Sequence, residues 1–153
     1  MTKRKKISGF TLVDAMFGIF LLAIAAAIVS ATTPIASVSR VKSDQLNRAA
    51  GAAEKEIEAI RNAGYANCSA SQLATLNILD NANPVTGTTD TFTFTNVDAG
   101  VSDSLATILP SGTGTVRIEQ ADLDLRRVTV TVTWKERGVT TRTYTLGTLL
   151  ANL

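Results

Sequence analysis

Lys3 to Ile35, KRKKISGFTLVDAMFGIFLLAIAAAIVSATTPI, is the stretch on which the reading of this chain turns. It opens with four basic residues, Lys3, Arg4, Lys5 and Lys6, followed by the small pair Ser8-Gly9. From Phe10 to Ile35 the chain is almost wholly apolar, and its one charge is Asp14. As a helix this run spans about 39 Å at roughly 1.5 Å per residue, enough to cross a hydrocarbon core of about 30 Å. Basic residues at its start hold that end on the cytoplasmic side. The expected organisation is a short leader over residues 1–9, a membrane-spanning helix over 10–35, and one exported domain over 36–153.

A plain membrane anchor does not account for Asp14. A carboxylate at the centre of a membrane helix costs about 2.5–3.5 kcal/mol, less near the interface. Such a group is usually kept because it meets a positive partner. If the chain is cut between Gly9 and Phe10, a new α-amino group appears at Phe10. Phe10 and Asp14 lie four residues apart on one helix face. In a bundle of such helices, the amine of one copy could face the carboxylate of a neighbour.

Gly9-Phe10-Thr11-Leu12-Val13-Asp14, behind a short basic leader and ahead of a long apolar helix, resembles the class III signal of type IV pilins and pseudopilins. The resemblance implies that a prepilin peptidase cuts after Gly9 and that the new amine of Phe10 is methylated. It also implies that Asp14 serves in filament assembly, with other pilin or pseudopilin subunits and an inner-membrane assembly platform as partners. The chain would sit in the inner membrane with its N-terminus cytoplasmic, then move into a pilus or pseudopilus. The family usually carries glutamate where this chain has Asp14, so a neighbour's amine would have to approach more closely. The competing reading is a secretory signal peptide: Phe17 to Ile28 as its apolar region, Val29-Ser30-Ala31 as its processing site, and a soluble product cut after Ala31.

Composition narrows the rest. At 153 residues the length fits one domain. The leader holds four of the fifteen basic residues. A chain starting at Phe10 would therefore carry eleven basic against thirteen acidic side chains, net −2. That argues against a broad cationic surface for nucleic acid. There is no histidine, which removes the commonest general base and metal ligand and every Ser-His or Cys-His nucleophile pair. The single cysteine, Cys68, has no partner for an intrachain disulfide and reads as a small buried filler. Neither an enzyme nor a cofactor is expected.

Along the chain, Thr32-Thr33-Pro34 marks an expected bend rather than an end of the helix. Leu46, Ala49 or Ala50, Ala53, Ile57 and Ile60 repeat at helical spacing and form an apolar stripe, with Arg48, Glu54, Lys55, Glu58 and Arg61 between them. Glu58 and Arg61 are placed to pair at i, i+3. Gly64 is the expected helix stop. A short helix is expected over Gln72–Leu79, capped by Ser71, with Leu73, Leu76 and Leu79 on one side. Phe92 and Phe94 alternate with threonines as a half-buried strand, and Val116 and Ile118 mark a second. Val128, Val130, Val132 and Trp134 alternate with Thr129, Thr131 and Thr133. Lys135–Gly138 reads as a turn, and Val139–Leu146 as the returning strand. One long helix followed by an antiparallel meander makes an α+β domain, with the second half of the helix lying on the sheet.

The run from Arg127 to Trp134, the turn, and Arg142 to Ala151 resembles the end of the minor pilins of the PilV and pseudopilin-I type, and Glu58-Ala59-Ile60-Arg61 is similar to the same subgroup. The implied fold is pilin-like, and the implied role is that of a minor subunit. Other candidate sites are weaker. Asp98 with Asp103, or Asp122 with Asp124, could seat calcium, but neither has EF-hand spacing, so no metal is expected. Arg126, Arg127, Lys135, Arg137 and Arg142 gather on the last hairpin. They make DNA uptake or adhesion the alternative function. Trp134 reads as core rather than as a binding platform.

Overall fold

The computed structural model describes the backbone of residues 11–136 and 138–152, and their side chains except those of 31–36 and 101. Gly9, Phe10, the leader and Arg137 lie outside the described residues. The chain divides into two units, one ending at Val41 and one starting at Lys42.

Helix α1 (Leu12–Asn67) belongs to both units and does not end at Pro34. In the second unit its buried positions are Ala49, Ala53, Glu56, Ile57 and Ile60. They recur at three- and four-residue intervals, as one side of a helix must. Leu46, expected in this stripe, is 47% exposed. Gly64 takes the expected positive φ, at 79° with ψ 171°, and this non-helical residue ends the long helix as expected; the bounds of α1 reach Asn67 because a short second turn is joined to it across that kink. Without a Cβ, the residue breaks one turn at no steric cost. Arg48 pairs with Asp44 at 2.9 Å. The expected Glu58–Arg61 pair is absent from the ion pairs of the described residues.

The expected short helix lies earlier than its periodicity suggested. Helix α2 is Ala70–Thr75, with Ser69 rather than Ser71 at the N-cap position. Leu73 and Leu79 are buried, while Leu76 is 51% exposed, because the chain leaves the helix at Leu76 and turns through a left-handed Asn77.

Four antiparallel strands form one sheet in the order β1-β2-β3-β4: β1 (Thr91–Thr93), β2 (Thr113–Asp122), β3 (Leu125–Glu136) and β4 (Thr140–Ala151). Between β1 and β2 lie a single 3-10 turn, Ala99–Val101, and the one-turn helix α3 (Leu105–Ile108). The register explains the two faces. One row across the sheet is Phe92, Val116, Val130 and Leu146; the neighbouring row is Thr93, Thr115, Thr131 and Thr145. Alternate residues of a strand point to opposite faces, so the apolar rows share one side and the threonines the other. Val116, Val128, Val130 and Val132 are fully buried and form one cluster with Ala49, Ala53, Ile57 and Ile60 of α1. Trp134 is 4% exposed in this core, as expected. Ile118 is only partly buried. The fold class is therefore α+β, with an antiparallel meander beside the second part of the helix.

Candidate functional site

The first turn of α1 is closed by its own side chains. The Asp14 carboxylate accepts from the Thr11 backbone N–H at 3.2 Å and from the Thr11 hydroxyl at 2.8 Å, both through Oδ2. In return the Asp14 backbone N–H donates to Thr11 Oγ1 at 3.3 Å. This is a reciprocal capping box, with Thr11 as N-cap and Asp14 three positions on. The carboxylate also lies at the helix end where the backbone dipole favours negative charge. Sequence reasoning passed over Thr11, although Thr-x-x-acid before an apolar run is the signature of this motif. The first 19 residues of α1, Leu12–Ser30, are all exposed. This stretch is long and apolar enough to cross a membrane, and a signal sequence meets the same description.

The other candidates fall out differently. Asp98 and Asp103 are brought together, but around an ammonium: Lys55 Nζ lies 2.8 Å from Asp98 Oδ2 and 2.6 Å from Asp103 Oδ2. These bonds, that to Asp103 first, raise the Lys55 pKa. Asp122 and Asp124 each have a donor of their own. Asp122 accepts from Leu123 N–H, and Asp124 accepts from the Asn152 side chain. Among the described residues no group of three or more acidic or cysteine side chains is placed to hold a metal ion.

Among the described cations of the last hairpin, two are held by partners within the fold and two are exposed. Arg126 lies with its guanidinium 4.6 Å from the centre of the Tyr65 ring and donates to the carbonyls of Tyr65 and Cys68. It ties the end of α1 to the start of β3. Arg142 and Lys42 both hold Glu136, each at 2.8 Å, and their hydrogen bonds, that of Lys42 first, keep its carboxyl below the usual range. Arg127 and Lys135 are exposed. Cys68 is buried, and burial raises its thiol pKa, as for an inert filler.

Glu56 was not among the residues expected from the sequence to carry a role. It is 6% exposed, it lies on the core side of α1, and its Oε1 has no hydrogen-bond partner among the described residues. It lines a small cavity with Lys55, Phe94, Asp98, Asp103 and Leu105. Burial pushes its carboxyl from an ordinary 4.5 up to about 8; Asp98 and Asp80 push the same way, and Lys55 opposes them. The helical phase 49-53-56-57-60 was the available signal.

No family model, no curated protein and no solved structure matches this chain.

Proposed function

We propose that this protein is a subunit of a type IV pilus or a type II secretion pseudopilus, cut after Gly9, methylated at Phe10 and assembled through its N-terminal helix. The observation that carries this reading is the Gly9-Phe10 junction set directly before an apolar helix with Asp14 in its first turn. A helix with a four-stranded antiparallel meander is compatible with a pilin-like domain. The C-terminal resemblance favours a minor subunit. Prepilin peptidase, other subunits and the inner-membrane platform are the partners of this reading.

The processing test is direct. Intact mass and N-terminal sequencing should give a mature chain of 144 residues, 153 less the nine of the leader, starting at a methylated Phe10. A product starting at Thr32 would establish the secretory reading instead. The assembly test compares Asp14→Ala, Asp14→Asn and Asp14→Glu by the ratio of mature protein in sheared filaments to that in membranes. All three should insert and be cut. Asp14→Glu should assemble, and Asp14→Ala and Asp14→Asn should not. Assembly of Asp14→Ala at the wild-type level would remove the pairing with a neighbouring amine.

A further inference from the structure

We propose that Glu56 is a proton-operated latch beneath the segment from Val97 to Ser104: protonated, it lets the segment close over α1, and ionised, it drives the segment off. The segment is anchored at both ends by core residues, Phe94 on one side and Ser104 and Leu105 on the other, each 4% exposed or less. Between those anchors it makes the tight turn Ala99–Val101. That turn is flanked by two non-glycine residues in the left-handed region, Asp98 at φ 60° and Ser102 at φ 59°. This backbone is disfavoured for such residues and persists only where its surroundings hold it.

Val97 packs against the core at its start, and beyond it the ties that hold the segment are few. Within the segment, Ser102 N–H donates to Ala99 O at 3.2 Å and Asp103 N–H to Asp98 O at 3.4 Å. To the helix, it is tied by Lys55, which grips Asp98 and Asp103 from a side chain 57% exposed. Exposed ion pairs contribute little and are screened by salt. Closure therefore depends on what lies underneath.

Underneath is the Glu56 carboxyl. The charges around it are Lys55 on its own helix, Asp98 and Asp103 on the segment, and Asp80 on the connection between α2 and β1. Asp80 is already held in place, accepting from the backbone N–H groups of Thr95 and Asn96 at 2.8 Å each. With Glu56 neutral, one ammonium serves the two carboxylates of the segment. Ionisation adds a buried carboxylate, with one oxygen unpartnered, to a site already rich in negative charge. A buried ion of this kind either stays protonated or finds water. Lifting the turn from Asp98 to Asp103 is the smallest movement that admits water, because Phe94 before it and Ser104 and Leu105 after it are fixed in the core. Closure is thus favoured below the Glu56 pKa and opening above it.

The test is backbone amide hydrogen exchange on the full chain in detergent micelles at pH 6, 7, 8 and 9, corrected for intrinsic base catalysis. In the wild type, amides from Ala99 to Asp103 should lose protection at least tenfold between pH 7 and 9, while Val128, Val130 and Val132 keep theirs. Glu56→Gln should hold its protection constant across the range. Lys55→Met should lower protection at every pH and keep the step. A carbon-13 titration of the wild-type Glu56 carboxyl should share the midpoint of the opening. The proposal fails if Glu56→Gln shows the wild-type step, if the β3 amides open together with the segment, or if the two midpoints differ. Should Glu56→Gln not fold, the wild-type midpoints and the β3 amides still decide the matter.

Discussion

Glu56→Gln should make the protein more stable at neutral and alkaline pH, and should change nothing in acid. The folded carboxyl titrates at about 8 rather than 4.5, so between those values the folded state holds a proton that the unfolded state has lost. Stability linked to that proton is fully present below about pH 4.5 and is lost as pH rises through about 8. Three and a half decades of proton affinity correspond to about 5 kcal/mol at roughly 1.36 kcal/mol each. About 3 kcal/mol of this is gone by pH 7. Glutamine has the shape of the neutral acid and does not titrate, so its stability curve lacks this slope. The assay is urea unfolding of the full chain in micelles, followed by the fluorescence of Trp134, the only tryptophan and one that is buried. Wild type and variant should agree within about 1 kcal/mol at pH 4 and separate by about 3–5 kcal/mol at pH 8.5, a midpoint shift of roughly 1–3 M urea. If the segment over Glu56 opens for less than the full penalty, the difference levels off at that lower value. A difference independent of pH, or a variant less stable than wild type at pH 8.5, would refute the reasoning.

Three further changes test the packing by the same urea assay. Gly112→Ala would place its Cβ 2.3 Å from the Leu105 carbonyl oxygen and 2.8 Å from Leu109 Cβ. Because backbone cannot yield there as a side chain would, the substitution should lower stability by about 1–3 kcal/mol or more. Gly51→Ala meets nothing within 4 Å in the middle of α1, and should raise stability by about 0.5–1 kcal/mol. Cys68→Ser puts a hydroxyl where the thiol is 1% exposed, and should cost about 1–3 kcal/mol without changing filament assembly; a Cys68-linked dimer in filaments would overturn its role as filler.

The sheet was legible because its chemistry repeats at a period of two. Val128, Val130, Val132 and Trp134 could be buried together only as a strand with one face inward, and the Phe92/Phe94 alternation gave the edge of the same surface. The return strand runs further than the sequence indicated. The expected return was Val139–Leu146, whereas β4 is Thr140–Ala151 and pairs with β3 at every residue of that span. The region after Gly64 was harder, since three leucines at helical spacing do not reveal that the helix lasts six residues. Glu56 was hidden by its residue type. A charge within a polar stretch is read as solvated, and only the helical phase, together with the segment that folds over it from 97–104, shows that it is not. The hairpin cations were legible as a cluster in sequence but not as separate anchors. Arg126 and Arg142 are committed to partners 58–61 and 6 residues away in the chain.

In the proposed assembly Asp14 would meet two demands at once, the cap of its own helix and the amine of a neighbour. The capping box gives it a role within its own helix, so its presence does not by itself require a positive partner. Losing the Asp14 half of the box costs at most the roughly 0.5–2 kcal/mol of a whole N-cap interaction, because Thr11 Oγ1 still accepts the residue-14 backbone N–H, and this acts on every copy whether assembled or not. Both Thr11 bonds end on Oδ2. In the proposed filament Oδ1 is therefore the oxygen that would face the methylated amine of a neighbouring Phe10, with the cap kept intact. Breaking such a pair in a low-dielectric bundle costs about 3–5 kcal/mol, more than the cap is worth. Asparagine separates the two demands, because its side-chain oxygen can keep the cap while its charge is gone. On the pairing account Asp14→Asn is as poor in filaments as Asp14→Ala, although its side-chain oxygen can still accept from the Thr11 N–H and only the charge is lost. Filaments that accept Asp14→Asn and reject Asp14→Ala would instead make the cap, and not the charge, the reason this residue is acidic.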